Sequence, residues 1–90
     1  MSSVYVFIGC FLENLDDQSE DMVDGCRDKD NVHKCQQWCQ NTKGCVRFSY
    51  ITKLVGDGPK NMCCLKDNKL SKIRFVENVV TGPVFCGKSL

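Results

Sequence analysis

Ninety residues make one small domain, and because cysteine supplies eight of the apolar residues and alanine is absent, few true core-formers remain. A net charge of +1 excludes a chain that works through bulk charge, such as a histone-like DNA binder or an acidic solvating tail. At this size buried area barely offsets chain entropy, so the cysteines are expected to staple the fold.

Val4, Val6 and Ile8 alternate with Tyr5 and Phe7, which predicts a short first strand leading into Cys10. From Glu13 to Asp30 the chain is acidic, with Leu15, Met22 and Val23 as its few apolar anchors, so a long loop pinned by Cys26 is expected. The clearest helix runs from Val32 to Gln40. Asp30 or Asn31 caps its start, and Asn41, Thr42 and Gly44 supply its stop. Val32, Cys35 and Cys39 share one face with Trp38 beside them, while Lys34, Gln36, Gln37 and Gln40 point elsewhere.

The stretch Cys45 to Ile51 alternates strictly, placing Val46, Phe48 and Tyr50 on one side of a strand and Arg47, Ser49 and Ile51 on the other. Gly56, Asp57, Gly58 and Pro59 form a turn cluster, and Met62 to Lys66 then resumes as the antiparallel partner. Phe75 to Val80 and Pro83 to Phe85, parted by Thr81 and Gly82, predict a second hairpin ending at Cys86. The expected fold class is α+β, one helix on an antiparallel sheet of about five short strands.

Charge is polarised along the chain. Residues 1–30 hold eight acids against Arg27 and Lys29, whereas residues 31–90 hold ten bases against Asp57, Asp67 and Glu77. In a tandem array, the acidic loop of one copy would meet the basic strands of the next.

No apolar run approaches the roughly 18 residues needed to cross a bilayer, so no membrane insertion is expected. Val4 to Ile8 is too short for a signal-peptide core and lacks a basic lead. An even cysteine count at this density is expected where thiols are oxidised, so the chain reads as one secreted module cut from a larger protein.

Joining Cys10 to Cys86 would lock the two ends together, and Cys39 with Cys45 would clamp the helix end to the following strand. Cys35 then reaches Cys63 or Cys64, and the other is left for Cys26, because adjacent strand residues face opposite sides. Zinc fits poorly: the spacing lacks the paired C-x2-C ligands of structural sites, and His33 is the lone histidine.

The run Cys35-Gln-Gln-Trp-Cys39-Gln-Asn-Thr-Lys-Gly-Cys45-Val-Arg-Phe-Ser-Tyr50, followed by Cys63-Cys64-Leu65-Lys66, resembles the PAN/apple module. The likeness extends from Cys10 to Cys86, and the CxLK strand with the closing Gly82 to Cys86 is most similar to tandem repeats of apicomplexan (coccidian) micronemal adhesins. The resemblance implies a five-stranded antiparallel sheet cradling one α-helix, with bridges Cys10–Cys86, Cys35–Cys63 and Cys39–Cys45. Cys26 and Cys64 are extra to that pattern and pair with each other by elimination, a swap of Cys63 with Cys64 remaining open.

No nucleophile-elbow motif, no paired thiolate and base, and no D-x-D-x-D-G calcium loop is present, so neither catalysis, a cofactor nor a metal is expected. Lys66, Lys69, Lys72 and Arg74 lie within nine residues, which reads first as an ordinary edge strand protected by its lysines against sheet-to-sheet pairing. The competing reading takes Lys66, Lys69 and Arg74, with Lys53, Lys60 and Tyr50 on the preceding hairpin, as the candidate ligand contacts, suited to anionic glycans or an acidic protein face. The neutral balance and lack of interleaved aromatics argue against nucleic acid. The resulting expectation is an extracellular adhesion module, released from micronemes if the parasite likeness holds, that binds a host-cell surface protein or glycan. Its alternatives are an assembly unit that binds neighbouring repeats or a co-secreted protein, and the substrate-binding accessory domain of a secreted protease zymogen.

Overall fold

The computed structural model describes residues 10–52 and 61–86. In chain order the elements are β1 (Leu12–Asp17), β2 (Cys26–Asp28), α1 (Val32–Gln40), β3 (Arg47–Ile51), β4 (Met62–Lys66) and β5 (Ile73–Pro83). The five strands form one antiparallel sheet in the order β1-β5-β3-β4-β2, with α1 packed on one face. The fold class is therefore α+β, with four disulfides.

The helix begins where Asn31 accepts a hydrogen bond from the Lys34 N–H through its side chain at 2.9 Å. It ends at Asn41, where Thr42 donates to the Trp38 carbonyl at 2.6 Å and Gly44 takes a positive φ of 91°. Under the helix lie Phe48, Tyr50, Cys63 and Leu65 together with Cys35 and Cys39, so sulphur fills much of the core. Cys35–Cys63 joins α1 to β4, and Cys39–Cys45 joins the helix end to the approach to β3.

Three expectations change. The acidic segment Glu13 to Asp30 is not one long loop: it carries β1 and β2, the two outer strands of the sheet. Its pattern was hidden by Asn14, whose positive φ of 62° marks the register shift between Glu13 and Leu15, and by the brevity of β2, a three-residue strand. Thr81 and Gly82 make no hairpin turn. They lie inside one continuous strand, with Thr81 paired to Ser49 of β3 on one side and Leu12 of β1 on the other. Gly82 is small because the rings of Phe11 and Phe48 press upon it: a Cβ there would sit 2.7 Å and 2.8 Å from their atoms. Gln36, finally, is buried, and its side chain donates to the Pro83 carbonyl at 3.0 Å. The first strand expected at Val4 to Ile8, and the turn at Gly56 to Pro59, lie outside the described residues.

Candidate functional site

Away from the helix, the sheet face presents Arg47, Ser49 and Ile51 of β3 beside Met62, Cys64 and Lys66 of β4. The chain from Asp17 to Asp21 crosses this face and satisfies its polar groups. Asp17 is fully buried and ion-paired with Arg47, and its carboxylate also accepts the backbone N–H groups of Ser19 and Lys72, each at 3.0 Å. Arg47 also donates to the carbonyls of Asp67 (3.1 Å) and Lys69 (2.5 Å) and to the Ser19 hydroxyl (3.5 Å). The Asp17 N–H donates to the Ser49 hydroxyl at 3.2 Å, and Thr81 donates to the Leu15 carbonyl at 2.8 Å. The outer halves of β1 and β5 are thus folded down over the sheet.

Lys66, expected as an exposed ligand contact, is instead 4% exposed. Its ammonium donates to the Ser19 carbonyl at 2.7 Å and pairs with Asp21. Lys69 pairs with Asp67 at 3.0 Å and stands 3.7 Å from Glu20. Acidic and basic halves of the sequence therefore meet within one chain. The shared physical reason is compensation: a cation carried onto this sheet face must be matched by a carboxylate or lose its hydration unrewarded.

Tyr50 is likewise enclosed, 3% exposed, on the helix side of the sheet. Burial, reinforced by the negative charge of Asp30, raises its phenol above the ordinary tyrosine value, so it stays protonated and donates to the Lys29 carbonyl at 2.8 Å. Of the expected contacts only Lys69 and Arg74 lie exposed among the described residues; Lys53 and Lys60 fall outside them. Tyr50, Lys66, Lys69 and Arg74 do not converge on one surface.

Beneath the folded-down ribbon is an open concavity of about 590 Å³, floored by Ile51, Met62, Val76 and Val79 and rimmed by Asp16 and Glu20. At its edge, Asp21, Cys26 and Cys64 bring potential metal-ligand atoms within 4.8 Å of one another. Both sulphurs are committed to the Cys26–Cys64 bridge, which offers no thiolate to an ion. Cys26 and Cys64 are directly opposed across β2 and β4, and Cys63 turns to the other face to meet Cys35. The fourth bridge, Cys10–Cys86, ties the entry to β1 to the exit from β5.

What the sequence did not mark is the start of β5. Leu70 and Phe75 are 86% and 75% exposed, and Ile73 is 44% exposed. The signal available for it was the short alternation Lys72-Ile73-Arg74-Phe75, basic and apolar by turns.

A scan against protein-family models matches none, and a search of curated proteins finds no match.

Proposed function

We propose that this chain is an extracellular, non-catalytic adhesion module of PAN/apple type, like the repeats of apicomplexan micronemal adhesins, which attaches to a protein on the host-cell surface. The observation that carries this is the covalent framework: buried bridges bolt the helix to the sheet, and Cys10–Cys86 closes the chain on itself. Such a scaffold keeps its shape without a large core, and it suits compartments where disulfides persist. A protein partner is favoured over a sulphated glycan because Lys66 and Lys69 are already paired internally, whereas Leu70, Ile73 and Phe75 stand bare.

The test is attachment of the oxidised, fluorescently labelled domain to cultured host cells. Binding should survive enzymatic removal of surface glycans and disappear after surface proteolysis. Loss on deglycosylation, with binding to one sugar class on a glycan array, transfers the activity to carbohydrate; failure to bind any cell overturns the adhesive reading.

A further inference from the structure

The first half of β5 has one edge without a partner among the described residues. β3 pairs with β5 only from Val79 to Pro83, so Ile73 to Phe75 has β1 alone as a neighbour. The direction of its backbone groups follows from register. The Gln18 N–H donates to the Lys72 carbonyl at 2.9 Å, which makes these two a hydrogen-bonded pair. Pairs in an antiparallel ladder alternate, so Asp16 and Arg74 form the next hydrogen-bonded pair. Ile73 and Phe75, opposite Asp17 and Leu15, fall at the non-hydrogen-bonded positions and turn their N–H and C=O groups away from β1. Such an edge is a template for another strand.

The side chains around it restrict what that strand is. Phe75 and Ile73 offer apolar surface, and Lys72 and Arg74 are exposed cations with no carboxylate within 4.0 Å among the described residues. A second copy of the same edge, laid antiparallel, would bring two sets of these cations together and is disfavoured. The strand that already occupies the inner side shows the complement: β1 sets Leu15 against Phe75 and Asp16 against Arg74. We propose that the Ile73–Phe75 edge of β5 captures an extended segment of another polypeptide in which apolar and acidic residues alternate, adding it to the sheet as a strand.

This deepens the reading of the domain as a protein-binding module and rests on it. The two are separable: cell attachment that persists without peptide capture would overturn the edge and leave adhesion to another surface.

The experiment titrates the oxidised, isotope-labelled domain with a blocked alternating Val-Asp octapeptide and follows backbone amides by NMR. Expected are shifts and slowed hydrogen exchange at Ile73 and Phe75, with affinity falling as salt rises. The double substitution Lys72→Glu and Arg74→Glu should weaken the acidic peptide about tenfold or more and create binding to a Val-Lys octapeptide. Both positions are exposed, and the unperturbed remainder of the spectrum serves as the control for folding. A Val-Asp peptide N-methylated on alternate residues along its ladder-forming edge should not bind. Equal binding of the methylated peptide, shifts away from β5, or preference for anionic lipid vesicles over the peptide would overturn the proposal.

Discussion

The carboxylate of Asp17 is wholly enclosed and held by the guanidinium of Arg47, thirty positions along the chain. Two elements meet through it, because β1 and β3 are not neighbours in the sheet and touch only where the β1–β5 ribbon folds over. Removing Arg47 leaves a buried charge without its counterion, at a cost of about 3–5 kcal/mol. Arg47→Ala should therefore lower stability by that amount in urea unfolding of the oxidised domain. The paired replacement of Asp17→Leu with Arg47→Met should recover only part of the loss, since it removes both charges together but leaves the N–H groups of Ser19 and Lys72 without their acceptor. If Arg47→Ala costs under about 1 kcal/mol, the carboxylate is hydrated and the ribbon stands open.

The same pair fixes a dependence on pH. Burial acts to raise the Asp17 carboxyl, but the Arg47 side chain and the N–H groups of Lys72 and Ser19 outweigh it and hold the group well below the usual carboxylate range. A group whose folded pKa is depressed stabilises fully above its unfolded value, near 3.8. That contribution is lost as pH falls through the folded value. The stability gap between the parent and Asp17→Asn should be constant at neutral pH and narrow progressively below about pH 4. A gap unchanged down to pH 2 would show that the carboxylate is not linked to folding.

How much of this was legible depends on which forces act locally. The helix at Val32–Gln40 was readable because its cap, its cysteine spacing and its stop are all encoded within a few residues. β3 was readable because alternation is a property of one strand, and β4 because the turn residues Gly56 to Pro59 mark where an antiparallel partner resumes. The placement of Asp17 was not, since its acidity looked like ordinary solvation until a partner thirty residues away was brought to it. Gln36 misled for the same reason: a polar side chain on a helix reads as exposed, yet the Pro83 carbonyl, 47 positions distant, draws it inward. The basic candidates suffered in reverse, Lys66 being an internal cation whose exposure no periodicity reveals.

Gly82 tests whether its conformational freedom or its size matters. It lies in a strand paired on both sides, with ring atoms of Phe11 and Phe48 where a Cβ would stand. Gly82→Ala should cost about 1–3 kcal/mol by overpacking. Adding Phe11→Leu should restore part of that, because one of the two obstructing rings is removed. Thermal unfolding of the four proteins in that cycle measures the coupling. A neutral Gly82→Ala would mean that the rings move aside freely and that the packing over β5 is loose.

The disulfides rank by the loops they close. Cys10–Cys86 spans 76 positions and constrains the unfolded chain by about 4 kcal/mol, whereas Cys39–Cys45 spans 6 and contributes about 2 kcal/mol by the same chain-entropy estimate. Burial works against that order: Cys39 and Cys45 are enclosed in the core, so replacing them with alanine also forfeits packing worth about 1 kcal/mol. The loop term still exceeds the packing term. Cys10→Ala with Cys86→Ala should destabilise more than Cys39→Ala with Cys45→Ala, by about 1 kcal/mol, in denaturant titrations under identical oxidising conditions. The opposite ranking would place the stabilisation in native packing around the helix end, and the covalent closure of the chain would then be secondary to its sulphur-filled core.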